Sequence, residues 1–280
     1  MSVLDPLVEW PPDRDSVWRQ VAEFVASWHR EPLGPASGTT AVELDAAERR
    51  LGGPLPAALR EWQLLAGRRF DLWDEREEDR YDRPGPEVWA PASYYRTGDG
   101  PDAPVVFHVV YGGMVWYHYV IRAGDLTAAD PPVFTHPEYP PGRAEFDSVS
   151  KMAATLLLVR ANLTTPYRLC LLRKRTPDDP TLSRMTERGA AAGLWRRCEW
   201  VKPFFDPISS GWTREVHVGA EVLVLRGGPP RFHVMDTEND SLALAAQSPA
   251  AMRTAAAALG VRDRLPDEWP AEKGEKFLCE

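Results

Sequence analysis

The stretch Thr40–Gly67, TAVELDAAERRLGGPLPAALREWQLLAG, constrains the fold more than any other part of the chain. It spells a helix, an abrupt stop, a second helix and a glycine end. Thr40 and Glu43 have the spacing of a capping box, in which the hydroxyl and the carboxylate each take a free backbone N–H of the first turn. Leu44, Ala47 and Leu51 then fall on one helical face, with Glu43, Glu48, Arg49 and Arg50 on the other. Gly52-Gly53-Pro54 ends this helix, because glycine permits left-handed geometry and proline cannot continue the hydrogen-bond ladder. Pro56 suits the first position of the next helix. Leu55, Leu59, Trp62 and Leu65 then face a core, and Gly67 caps the end.

The rest of the chain sets limits. At 280 residues, with 44% apolar residues and 11 tryptophans, it is long enough for one large domain or two small ones. No apolar run reaches the length of a membrane span. The first residues, MSVLDPLVEWPPDRD, lack the pattern of a signal peptide. Three widely spaced cysteines, Cys170, Cys198 and Cys279, argue against a disulfide framework and fit a reducing cytoplasm. The net charge of −8 argues against general nucleic-acid binding. Charge is uneven. Residues 168–202 carry nine Lys/Arg against four acids, whereas residues 71–82 (DLWDEREEDRYD) carry seven acids against two arginines.

Along the chain, Asp13 or Asp15 caps a helix bearing Val17, Val21, Phe24, Val25 and Trp28. Residues 70–102 read as a long irregular segment. Val105–Val110 and Met114–Ile121 read as a hairpin with both faces covered, Pro131–Phe134 as a short edge strand, and Ser148 or Asp147 as the cap of a following helix. Beyond residue 166 the pattern predicts a helix-permissive stretch at Thr186–Cys198 and strands at Arg214–Val218, Glu221–Leu225, Arg231–Asp236 and Leu242–Ala246. A helix capped by Ser248 and stopped by Gly260 follows, then a charged tail over 261–280. Gly112-Gly113 and Gly227-Gly228 sit in similar contexts, as a duplicated αβ unit or as two ordinary hairpins would place them.

The candidate chemistry is sparse. By alternation along the strands, His108 and His118 share a face, and with His136 or Glu138 they would make a metal site; the other reading is two satisfied histidines in a half-buried sheet. Cys198 lies among Arg196, Arg197 and Glu199, where neighbouring cations favour a thiolate; the other reading is a buried, inert cysteine. His136-Pro137-Glu138 matches the His-x-Glu of zinc deaminases, but the Pro-Cys-x-x-Cys that they need is missing. No phosphate loop, dinucleotide fingerprint or nucleophile elbow occurs. The acidic run is the strongest candidate for function. Asp74, Glu75, Glu77, Glu78 and Asp79 create a negative field, and Trp73 and Tyr81 beside them offer aromatic anchors for a basic protein; a solvated loop is the plain alternative.

Glu48, Leu51-Gly52, Leu55-Pro56, Trp62 and Gly67, in that order, resemble the signature of the SMI1/KNR4 (SUKH) family, although Ala66-Gly67 stands where the family usually has Asn-Gly. The resemblance covers about residues 15–163 and is clearest over 40–67. It implies an α+β fold, a mostly antiparallel sheet flanked by helices, over 1–165; residues 166–280 read as a C-terminal αβ extension or second subdomain, packed on the same sheet or apart from it. It implies a cytoplasmic immunity protein that neutralises a toxin, in some cases a nuclease, by stoichiometric occlusion. No catalytic residue, metal or cofactor, and neither nucleic acid nor membrane as partner, comes with that role. A non-inhibitory regulatory scaffold is the alternative within the family. An enzyme using His108, His118 or Cys198 is the alternative outside it.

Overall fold

The computed structural model describes residues 8–29, 31–69, 72, 94–98, 100–111, 116–136, 144–174, 181–206, 211–213, 215–227, 239–262, 265 and 274–279. The chain forms two compact units, one of residues 13–22 and 31–157, the other of 1–12, 23–30 and 158–280. The fold is α+β, with largely antiparallel sheets flanked by helices.

Helix α1 (Arg14–Trp28) begins at Asp13, whose Oδ1 accepts the Ser16 N–H at 2.8 Å. Its apolar stripe, Val17, Val21, Phe24, Val25 and Trp28, is buried throughout. In the first unit, α2 (Ala41–Leu51) and α3 (Ala57–Ala66) form the predicted pair. Thr40 N–H donates to Glu43 Oε2 at 2.9 Å and Glu43 N–H to Thr40 Oγ1 at 3.3 Å, which completes the capping box. Gly52 stops α2 at φ 80°, and its N–H and that of Gly53 both reach the Glu48 carbonyl. The side chain of Glu48 holds the break. One oxygen accepts the Leu55 N–H at 3.0 Å and the other pairs with Arg60 at 3.1 Å. The order of acid, Leu-Gly and Leu-Pro in the sequence thus has a mechanical basis: the carboxylate ties the loop back onto the helix that it leaves.

Gly67 caps α3 as expected, its N–H reaching the Gln63 carbonyl. It sits at φ −62°, in ordinary helical geometry, so no left-handed cap requires it. Space does: a Cβ there would lie 2.3 Å from Thr39 Oγ1 and 2.6 Å from the Gln63 carbonyl oxygen. Gly38 is tighter still, because a Cβ would stand 1.7 Å from the backbone oxygen of Leu64. Gly38→Ala is therefore expected to cost about 2–3 kcal/mol, the range for forcing extra atoms into a packed site. A urea unfolding curve checks this, and an unchanged midpoint would show that the loop yields freely.

The first sheet runs β1 (Tyr95–Arg96), β2 (Val105–Tyr111), β3 (Trp116–Ile121) and β4 (Phe134–His136), in that order and antiparallel throughout. Leu59 and Trp62 of α3 and Met152 of α4 (Val149–Thr164) line a small cavity with Phe107 and His108 of β2. On the other face Val106, Val109, Val120 and Phe134 form a buried cluster. Both faces are covered, as the apolar strands predict. Helix α4 is capped by Ser148, whose Oγ accepts the Lys151 N–H at 3.2 Å. Asp130 holds the first turn through the N–H of Ser150 at 3.0 Å and through its hydroxyl.

The second unit is built on a six-stranded sheet of order β12-β5-β11-β10-β9-β6, from β5 (Tyr167–Lys174), β6 (Arg196–Arg197), β9 (Glu215–Val218), β10 (Val222–Gly227), β11 (Asn239–Ala246) and β12 (Gly274–Cys279). Strands β7 (Phe204–Asp206) and β8 (Gly211–Thr213) pair separately. Leu169, Leu171, Val224, Leu242 and Leu244 pack against Leu182 of α5 (Thr181–Ala191) and Met252, Ala255, Ala256 and Leu259 of α6 (Pro249–Leu259). Ser248 Oγ accepts the Ala251 N–H at 3.1 Å, Pro249 opens α6 and Gly260 stops it at φ 77°, as its sequence predicts. Several elements depart from the sequence reading: α5 stops at Ala191, Arg196–Arg197 of the helix-permissive stretch form β6, and β7 and β8 were not predicted. Tyr167–Lys174 is a strand where none was predicted, and the charged tail contains β12. The predicted strand Arg231–Asp236 lies outside the described residues.

Candidate functional site

Trp73, Asp74, Glu75, Glu77, Glu78, Asp79 and Tyr81 all lie outside the described residues. The described residues that flank 73–93 are well packed. Leu72 is fully buried, and its N–H donates to the Arg69 carbonyl at 3.1 Å. Tyr94, where description resumes, is 2% exposed, and burial raises its phenol pKa. Arg50 donates to the Tyr94 carbonyl at 3.3 Å. Arg96 spans several carbonyls: Leu51 at 3.1 Å, Pro101 at 2.8 Å and Ala103 at 2.7 Å. Arg69 reaches the Glu31 carbonyl at 2.9 Å, and Arg68 pairs with Glu43 at 2.9 Å. Leu72 and Tyr94, the described residues on either side of 73–93, are both buried. Among the described residues, Arg50, Arg69 and Arg96 donate to backbone carbonyls and Arg68 pairs with Glu43.

The histidine pair does not form. A bulge between Val106 and His108 places His108 opposite Tyr119, and His118 opposite Val109. Residues directly opposite in an antiparallel pair share a face, so His108 and His118 lie on opposite faces of the sheet. The expectation of a shared face fails because strict alternation does not survive an extra residue. His108 stacks on Tyr119 at 5.5 Å, and burial lowers its pKa to about 3, so it is neutral at physiological pH. His118 meets the Tyr95 hydroxyl at 3.3 Å and stands at the register position of His136. Glu138 lies outside the described residues.

Cys198 is 1% exposed, and its thiol is pushed up to about 12 by burial, with Glu199 adding to the effect and Arg196 opposing it. The expected influence of neighbouring arginines is outweighed by desolvation, so the thiolate is disfavoured. Cys170 is also buried.

One cluster was not read from the sequence. Glu215 on β9 contacts His217 Nε2 at 3.3 Å and Arg226 at 3.2 Å, and Arg197 stands 3.7 Å away. The hydrogen bond from His217 holds the Glu215 carboxyl down to about 2, with Arg226 and Arg197 assisting against the cost of burial. Glu215 and His217 are two apart on one strand, which places them on one face. Their meeting with Arg226 depends on the register of β9 with β10, in which Arg226 is opposite Glu215. Part of the basic segment is thus matched locally, Arg196 by Glu9 at 3.1 Å and Arg197 by Glu215 and Glu199.

No family model matches the chain, and neither a curated protein nor a solved structure matches it. No helix among the described residues is long and apolar enough to cross a membrane.

Proposed function

We propose that this chain is a protein-binding immunity protein of the SUKH kind, acting in the cytoplasm by stoichiometric occlusion of a basic toxin domain. The observation that supports this reading best is the α2–α3 pair. Its break, tied back by Glu48, joins two helices in the order of residues on which the resemblance rests. A negatively charged segment with two aromatics is suited to steer a basic partner and then hold it. Burial of His108 and of Cys198, each with its charged form disfavoured, supports binding over turnover.

Replacing Asp74, Glu75, Glu77, Glu78 and Asp79 with their amides should weaken partner binding about tenfold or more at low salt and flatten its salt dependence. The partner to test is the product of the neighbouring open reading frame. Co-expression should rescue growth with the native chain and fail with the five-residue variant. Binding without rescue would instead fit the regulatory scaffold. Unchanged affinity in the variant would remove this surface from the proposal.

A further inference from the structure

We propose that the outer face of α5 and α6 is a docking surface for an acidic segment, and that its occupant is residues 71–82 of a second copy of this chain. The arginine face plays no part in the toxin reading, and self-association is measured with no other protein present, so either proposal can fail alone.

The basic stretch over 168–202 is only partly matched. Arg196 and Arg197 meet Glu9, Glu199 and Glu215. Residues 181–191 and 249–262, which make up α5, α6 and the turn that ends α6, hold four arginines, Arg184, Arg188, Arg253 and Arg262, against one acid, Glu187. All five are exposed. Among the described residues none of the four arginines enters an ion pair.

Packing gathers these cations. Helices α5 and α6 share one apolar cluster through Leu182, Ala255 and Leu259. A Cβ at Gly260, where α6 stops, would stand 3.5 Å from Arg188 Nη1. Arg188 therefore sits at the carbonyl end of α6, where the helix dipole favours a cation. Arg253 precedes Gly260 by seven residues, so it shares that stripe of α6 about 10 Å along the axis. Arg184 is one turn, about 6 Å, from Arg188, and Arg262 follows Gly260 by two residues. Four positive charges against one negative are thus carried on rigid backbone around the place where Arg188 meets α6.

The complement is in the chain itself, since residues 71–82 carry seven acids against two arginines. Arginine suits carboxylates because its planar fork binds them through two parallel hydrogen bonds. A phosphate polymer fits less well. The net charge of −8 repels a long polyanion, and residues 181–191 and 249–262 offer no aromatic side chain on which a base could stack. A short acidic segment meets the four arginines without running on over the acidic remainder. Every copy carries both surfaces, so the contact is head-to-tail, the acidic run of one copy on the arginines of the next.

Sedimentation velocity of the full chain tests this. In about 0.01 M salt, where the Debye length is about 30 Å, concentration-dependent dimers or larger species are expected; in about 1 M salt, where it is about 3 Å, monomers are expected. The quadruple variant Arg184→Gln, Arg188→Gln, Arg253→Gln, Arg262→Gln and the five-residue amide variant described above should each self-associate at least about tenfold more weakly. Mixed together they should form a one-to-one pair, because each keeps the surface that the other lacks, and that pairing also shows that both are folded. A fluorescein-labelled peptide of residues 71–82 should bind the native chain saturably at low salt and the arginine variant at least about tenfold more weakly. A native chain that stays monomeric at low salt, a mixture that does not pair, or a peptide that binds both proteins alike would overturn the proposal. So would a monomeric chain that retains single-stranded DNA through these arginines, a result that would assign the face to phosphate.

Discussion

Trp62→Ala should destabilise the chain by about 3–5 kcal/mol, the range for emptying a large aromatic site in a packed core. Trp62 is 2% exposed. Its ring lies 5.7 Å from that of Trp18, and it lines the small cavity with Leu59, Phe107, His108 and Met152. An alanine there enlarges that cavity between α3 and β2, and neighbours drawn from a helix and a strand have little freedom to close it. Trp62→Phe keeps an aromatic ring and is expected to cost about half as much. Urea unfolding at neutral pH measures both. A loss below about 1 kcal/mol for the alanine variant would mean that Trp62 is not the keystone of this core.

The second large effect is on acid stability. Glu215→Gln should cost about 2 kcal/mol at pH 7, because Arg226 and the largely buried His217 lose their carboxylate while retaining their desolvation. The folded carboxyl titrates near 2, against an ordinary value of 4.5. Its contribution is therefore complete above pH 4.5 and drains away as the pH falls toward 2. Chemical unfolding at pH 7, 4 and 2.5 should show the native chain losing its advantage over the variant across that interval. A constant difference between the two proteins would locate the effect in packing rather than in ionisation.

The parts of the fold that were legible in the sequence are those with local causes. The Thr40–Glu43 box, the Gly52 stop and the Ser248-Pro249…Gly260 frame of α6 each act within a few residues, and each forms as written. Strand β5 escaped because YRLCLLRK carries cations at both ends and alternates only weakly, which hides a strand buried in the middle of a sheet. Strand β12 escaped because its pairing partner lies more than one hundred residues earlier, a long-range choice that six residues of sequence do not announce. The Glu215 cluster is likewise a product of register. Gly67 caps α3 as its place after the helix predicts, but the reason that glycine stands there, the crowding by the side chain of Thr39 and the backbone of Gln63, is visible only in three dimensions. Cys198 illustrates competing terms: adjacent arginines were visible in the sequence, and the burial that outweighs them was not.

The extra residue in β2 has a consequence for how this hairpin can vary. Val106 and Val109 face the same way although they are an odd number of positions apart. The inside–outside parity of the strand therefore inverts partway along it. Losing or gaining a single residue between Val105 and Tyr111 would invert it again and exchange the two covered faces across the remainder, at the cost of the Val106–Val109–Val120–Phe134 cluster. Substitution is thus the tolerated route of divergence in this strand, and its length is the conserved quantity to expect among related chains.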